Sequence, residues 1–193
     1  HKYIVQNNFN TAYSKGFWPA ECSFSERIIQ VLVEEGFQWS IVANSHLSRT
    51  LNDYPNLNFG TSGVNTNPPN KADKVATNGT NWWNGQIDGR GGTFAAPYSY
   101  QAHKAKYVNP ETGTEYKIDV VPMADLLSYK DGFSEQSTGE IDTNIAPFSD
   151  PNHPSIVLLA HDGDNAWGGG ASYYQEAVKN FTNAAANKGY TPN

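Results

Sequence analysis

Residues 25–43, Ser-Glu-Arg-Ile-Ile-Gln-Val-Leu-Val-Glu-Glu-Gly-Phe-Gln-Trp-Ser-Ile-Val-Ala, decide the fold. Their first half places apolar residues at 28, 29, 32 and 33, which is helical spacing, and Gly36 is a typical helix end. Ser23 or Ser25 is a suitable cap for the start of this helix. Residues 37–43 then predict a buried strand. A helix that leads directly into a strand is the unit of α/β folds, so we predict that class.

The flanking sequence predicts fewer elements and longer connections. Residues 52–97 and 130–154 are loop-like, and the first of these stretches is rich in Asn, Gly, Pro and Thr, so we expect long irregular loops there. Between and beyond them, apolar patterning predicts strands at 116–121 and 156–160, helices at 124–129 and 172–187, and a short strand or loop at 2–9.

Composition restricts the classes of partner. The chain has 13 basic and 19 acidic residues and a net charge of −6, which argues against binding to nucleic acid or to an anionic membrane. No apolar run approaches the roughly 18 residues of a membrane helix. One cysteine excludes an internal disulfide. Aromatic residues make up 13% of the chain, and together with many amides they suit sugar binding, so we expect a secreted, carbohydrate-active protein. A loop-rich extracellular fold without a sugar ligand is the alternative, and the source is expected to be bacterial.

Two segments carry acidic residues beside aromatic ones. Glu21 lies in Gly16-Phe-Trp-Pro-Ala-Glu-Cys22, just before the predicted helix, where it could also serve as a charge at the helix N-terminus. Asp162 follows the predicted strand 156–160, a position at which α/β folds build their sites. The same segment also fits a polar turn or a calcium loop, since three of its side chains are oxygen donors. The candidate calcium ligands are Asp162, Asp164 and Asn165.

These segments resemble two motifs of glycoside hydrolase family 57. Gly16-Phe-Trp-Pro-Ala-Glu-Cys-Ser-Phe-Ser25, followed by residues 33–39, resembles its nucleophile motif, and Leu159-Ala-His-Asp-Gly-Asp-Asn-Ala-Trp167 resembles its acid/base motif. Their order and spacing also suit the related family 119, which contains α-amylases. The resemblance implies part of an incomplete (β/α)7 barrel, retention of configuration and α-glucan substrates, with an activity of the α-amylase or the 4-α-glucanotransferase type. It implies Glu21 as the nucleophile and Asp162 as the acid/base, with no cofactor required and a structural calcium ion as an option.

The resemblance and the aromatic content also indicate residues that bind the substrate. His46 follows the strand after the nucleophile motif and matches a histidine that the family often places in its sugar-binding cleft. Trp18 and Trp167 flank the two carboxylates, and His161 stands next to Asp162. Trp82, Trp83, Tyr98 and Tyr100 are candidates for stacking on glucose rings. Ordinary packing remains the alternative for the aromatic residues, and a solvent-facing loop for His46.

Residues 1–193 are interpreted as a single region, the middle to later portion of a catalytic barrel. Only 20 residues precede Glu21, so the N-terminal strands of the family domain are expected to be absent. Asp164 stands where many family members carry Glu. Two rival readings stay open: a non-catalytic, calcium-dependent carbohydrate-binding module, and a barrel like that of polysaccharide deacetylases. The second is disfavoured because none of the five histidines has the His-x3-His spacing of its metal site.

Overall fold

A computed structural model describes residues 2–48, 50, 83–86, 93–125, 127, 128, 137–160 and 173–192 of the 193-residue chain. It divides into two compact units, which we treat separately. The first unit contains His1–Val42 and Ala102–Val121, and the second contains Ala43–Gln101 and Pro122–Asn193. The chain passes between the two units three times, after residues 42, 101 and 121.

The described elements are a mixture of helices and strands. The helices are α1 (Lys2–Asn8), α2 (Ile28–Glu34), α3 (Asn44–Ser48) and α4 (Tyr173–Asn187). The strands are β1 (Gly16–Phe17), β2 (Trp39–Ala43), β3 (Trp83–Gln86), β4 (Thr93–Ala96), β5 (His103–Val108) and β6 (Glu115–Met123).

A four-stranded sheet in the order β1-β2-β6-β5 forms the centre of the first unit. β1 and β2 are parallel, with Gly16 opposite Trp39, and β5 pairs antiparallel with β6. A parallel pair requires a crossover, which α2 supplies. The α/β class is therefore confirmed, whereas the described residues form this mixed sheet and a separate two-stranded one, without closing into a barrel.

The predicted helix and strand of residues 25–43 are both present. α2 buries Ile29 and Leu32, which pack with Phe37 and Val42 and with the inward side chains of β6. Gly36 has a φ of +82°, a left-handed conformation that glycine adopts at low cost and that ends the helix. The predicted serine cap is wrong, because the residue before the helix is Arg27 and no side chain caps it.

Residues 2–8 form α1, so the predicted strand or loop at 2–9 is wrong for this segment. Periodicity could not reveal the helix, because Tyr3 and Ile4 are 75% and 52% exposed and mark no buried face. Lys2 instead attaches this helix to Glu35 and Tyr13. Its Nζ lies 2.7 Å from a Glu35 carboxylate oxygen and 5.1 Å from the centre of the Tyr13 ring.

The second unit is held by a separate apolar cluster. Tyr100 and Leu127 are 1% exposed, and Phe181 of α4 packs against the same cluster. β3 and β4 form an antiparallel hairpin inside the predicted loop 52–97, and residues 141–148 form short helical turns inside the predicted loop 130–154. The loop predictions are wrong at these residues, because the composition of a segment does not show whether it can pair within itself.

Residues 156–160 do not form the predicted buried strand. Leu158 makes one isolated parallel bridge with Met123, and Ile156 is 40% exposed. The Ala160 N–H donates to the Ser128 hydroxyl at 3.1 Å. A side chain therefore takes the place of the backbone acceptor that a neighbouring strand would supply. Apolar content alone predicted the strand, but a strand also needs backbone partners along its length.

α4 confirms the predicted C-terminal helix over its described residues. Gly189, at a φ of +85°, follows its end. Within the part of the chain that the structure describes, no helix combines the length and the apolar character needed to cross a membrane.

Gly16 is predicted to be essential for packing in the first unit. A Cβ at this position would lie 2.1 Å from the Trp39 indole, which would have to move. We expect Gly16→Ala to lower the free energy of unfolding by about 1–3 kcal/mol. Gly139→Ala is the matched control, because its Cβ would meet only Ser137 Oγ at 3.5 Å. Equal denaturation midpoints for the two variants would contradict this prediction.

Asp142 is predicted to make stability depend on pH. The Lys188 ammonium, the Tyr190 hydroxyl at 2.7 Å and the Thr138 hydroxyl at 3.1 Å donate to its carboxylate and lower its pKa, the lysine most strongly. The stabilisation is therefore fully present above about pH 4, the pKa of an unfolded aspartate, and is lost as the pH falls through the lower folded-state pKa. Asp142→Asn should lower the melting temperature at pH 7, and the difference from wild type should shrink below pH 4. A difference independent of pH would refute the assignment.

Candidate active site

The turn that carries Glu21 begins directly after β1. Residues 20–22 form a single 3-10 turn, in which the Cys22 N–H donates to the Pro19 carbonyl at 3.1 Å and the Ser23 N–H to the Ala20 carbonyl at 3.0 Å. Because β1 is parallel to β2, this turn follows the carboxyl end of a parallel strand, where α/β sheets place their sites. The Glu21 side chain lies outside the described part of the structure.

A hydrogen bond between the side chains of Trp18 and Cys22 stabilises the same turn. The Trp18 indole N–H donates to the Cys22 sulfur at 3.4 Å, and Pro19 between them is buried. Cys22 has a φ of +53°, so the backbone reverses sharply just after Glu21. Trp18 is half-buried. This exposure leaves part of the indole accessible beside the predicted nucleophile.

A second group of polar side chains lies where β2 and β6 end. The Asp125 N–H donates to Asn44 Oδ1 at 3.1 Å, and the Ser45 hydroxyl donates to Asp125 Oδ2 at 3.3 Å. These contacts show that the carboxyl ends of β2 and β6 lie side by side. His46 follows on α3 with a half-buried ring whose Nδ1 is buried.

The two tyrosines named as stacking candidates differ in exposure. Tyr98 is half-buried, and its hydroxyl lies 2.8 Å from Thr50 Oγ1. Tyr100 is 1% exposed within the apolar cluster, and this burial raises the pKa of its hydroxyl. The stacking prediction for Tyr100 is therefore wrong, since a ring inside the core cannot contact a polysaccharide.

The segment that leads to the predicted acid/base is attached to the residues that follow β6. The Ala124 N–H donates to the Leu158 carbonyl at 2.9 Å, and the Ala160 N–H to the Ser128 hydroxyl at 3.1 Å. Ala160, the second residue of the motif, is the last residue described before position 173. Asp162 follows it by two positions in the sequence.

Many of the predicted site residues lie outside the described residues. The structure places the side chains of Trp18 and His46, but only the backbone of Glu21 and Trp83. The predictions for the remaining residues stay predictions: Trp82, His161, Asp162, Asp164, Asn165 and Trp167. Among the described residues, no group of three or more His, Cys, Asp or Glu side chains is arranged to hold a metal ion. The predicted calcium ligands are not among them.

Sequence reasoning missed Asn44, Ser45 and Asp125, which form a separate candidate site within the second unit. Each follows the end of a strand, and site residues tend to gather at such ends in α/β folds. All three residues follow shortly after a predicted strand, so their positions could have indicated a site. Their contacts with one another, between positions about 80 residues apart, were not visible.

Comparison with known proteins adds two findings. The model of glycosyl hydrolase family 57 matches residues 1–188. An α-amylase of Niallia circulans is 37% identical over 195 aligned residues, which cover 98% of this chain and 14% of that relative. The chain thus spans a small part of the length of this relative. No solved structure matches the chain.

The Asn44 amide is predicted to be a stability determinant of this site. Asn44 is 1% exposed, so Asn44→Ala would leave the Asp125 N–H without its acceptor in a buried setting. We expect a loss of about 1–3 kcal/mol in the free energy of unfolding. Asn7→Ala, on exposed α1, should change it by less than about 0.5 kcal/mol. Urea denaturation measures both, and equal small effects would show that the Asn44 contact carries no stability.

Proposed function

The chain belongs to glycosyl hydrolase family 57, and from this membership we propose that it forms part of the catalytic domain of a retaining glycoside hydrolase that acts on α-glucans. The match of the family model to residues 1–188 carries the proposal. The identity to a protein named α-amylase supports the choice of substrate, and we propose α-1,4 linkages.

In the proposed reaction, Glu21 attacks the anomeric carbon and forms a β-glucosyl-enzyme. Asp162 first protonates the leaving oxygen and then removes a proton from the water that hydrolyses the intermediate. Retaining enzymes hold their two carboxyl groups roughly 5–5.5 Å apart, close enough for direct attack. The acid/base must be protonated in the first step, so its pKa must be raised, and apolar neighbours such as Trp167 would do this by desolvation.

The described residues have supporting roles in this proposal. The Trp18–Cys22 hydrogen bond and the buried Pro19 fix the turn on which Glu21 lies, so that the nucleophile would approach from a defined direction. The accessible part of the Trp18 indole is suited to packing against a glucose ring. His46, with one ring nitrogen buried, would direct the other to a sugar hydroxyl.

Three further features belong to the proposal. The parallel β1–α2–β2 unit is the kind of unit from which a (β/α)7 barrel is built, so we propose that the full domain is an incomplete barrel. The aromatic content and low charge support secretion from a bacterium. The double displacement requires no cofactor. A structural calcium ion held by Asp162, Asp164 and Asn165 is the alternative to the acid/base role of Asp162, because a bound cation would lower the pKa of that carboxyl and keep it ionised.

Replacing Glu21 tests the proposed nucleophile. Glu21→Gln should lower kcat on an α-glucan by at least about a thousandfold, because no group remains to form the covalent intermediate. Glu26→Gln is the matched control, since Glu26 is exposed and lies five positions further on. Both variants should melt as the wild type does. Near-wild-type turnover by Glu21→Gln would rule out its role as the nucleophile.

Azide separates the two proposed carboxylate roles. In Glu21→Ala, azide in place of the nucleophile should yield a β-glucosyl azide from an activated α-glucoside. In Asp162→Ala, azide should instead attack the glucosyl-enzyme and yield the α-anomer, because two displacements have then occurred. Binding of the glucan without turnover by the wild-type protein would favour a carbohydrate-binding module.

A further inference from the structure

We propose that Asp125 is a further substrate-binding residue, whose carboxylate accepts hydrogen bonds from the hydroxyl groups of one glucosyl unit of the substrate. This inference rests on the proposed function. It assigns a role to a carboxylate that belongs to neither of the two motifs. All the contacts that carry it lie within the second unit.

The position of Asp125 in the fold is the first argument. It follows the carboxyl end of β6, beside the residue that follows β2, and ligands of α/β folds bind outside such strand ends. Its neighbour Ala124 is hydrogen-bonded to Leu158. Ser128, in the same helical turn, holds Ala160. The turn that presents Asp125 is therefore attached to the segment that leads to the predicted acid/base.

The way in which Asp125 is held is the second argument. Asn44 fixes its backbone N–H, and Ser45 donates to one carboxylate oxygen. Among the described residues, none donates to the other oxygen, Oδ1, and a carboxylate oxygen can accept more than one hydrogen bond. Asp125 is half-buried, and a carboxylate that is partly removed from water forms strong hydrogen bonds with neutral donors.

The buried support under Asp125 is the third argument. Asn44 is 1% exposed, and its side chain also interacts with the buried Tyr100 hydroxyl. A buried amide is unfavourable for stability unless its polar atoms find partners, and here its oxygen accepts from the Asp125 N–H. The oxygen of this amide orients the Asp125 backbone, which explains why position 44 is an asparagine.

The chemistry of the site favours hydroxyl donors as the ligand. A cation site would require several acidic or imidazole side chains, and the described residues around Asp125 supply no such group. One carboxylate beside a serine hydroxyl instead matches the vicinal hydroxyls of a sugar, which donate to its oxygens and leave the ring plane to aromatic side chains.

The test is Asp125→Asn in the protein that carries this chain, because the amide keeps the size of the side chain and can still accept from Ser45. We expect KM for maltoheptaose to rise about tenfold, since the charge-assisted bonds are lost, while kcat changes by less than about threefold. The dissociation constant of maltoheptaose, measured by calorimetry in a Glu21→Gln background, should rise by the same factor. Asp150→Asn is the matched control, because Asp150 is also a half-buried aspartate of the same unit and its carboxylate contacts the His153 ring.

The outcomes separate this inference from the proposed function. If the wild-type protein neither binds nor hydrolyses α-glucans, both fail. If it does so and Asp125→Asn retains the wild-type KM and dissociation constant, only the inference is overturned. A lower melting temperature of Asp125→Asn, with unchanged KM, would show that the carboxylate is structural and would also overturn it.

Discussion

The burial of one face of α2 against the sheet is the constraint on which the described structure depends. Ile29 and Leu32 are 1% and 3% exposed, and each such side chain contributes about 1.5–3 kcal/mol when removed from water. Because α2 must lie on the sheet, the chain that leaves β1 has to cross over and return parallel to it as β2. This crossover brings the turn with Glu21 to the carboxyl end of a parallel strand.

Strand ends create a second constraint, because backbone N–H groups that leave the ladder still need acceptors. Buried side chains supply these acceptors in the second unit. Asn44 accepts from Asp125, and Ser128 accepts from Ala160; the two side chains are 1% and 3% exposed. The contacts that satisfy these backbone groups therefore also fix the residues that follow the strands. Several of these residues carry polar side chains.

The sequence predicted those elements whose signals are local. The helix and strand within residues 25–43 were found because the apolar spacing, the glycine and the short connection all agree. The prediction of a strand at residues 156–160 was wrong because their apolar character does not show whether they have backbone partners. Met123 supplies only one bridge. α1 was missed because its large side chains are exposed and its tether, Lys2 to Glu35, spans 33 positions. The contact of Asn44 with Asp125 spans 81 positions, so neither contact could be predicted from a single sequence.

Within the motif Gly16–Cys22, the structure shows packing or hydrogen-bonding tasks for several of the residues around Glu21. Gly16 leaves room for the Trp39 indole, Pro19 is buried, and Cys22 receives the Trp18 N–H. Each of these features serves the shape of the turn and would be required even if no reaction occurred. None of them explains a glutamate at position 21, in a turn whose backbone hydrogen bonds are made without its side chain. The proposed role as nucleophile would account for that residue, whereas a purely structural turn would accept many others there.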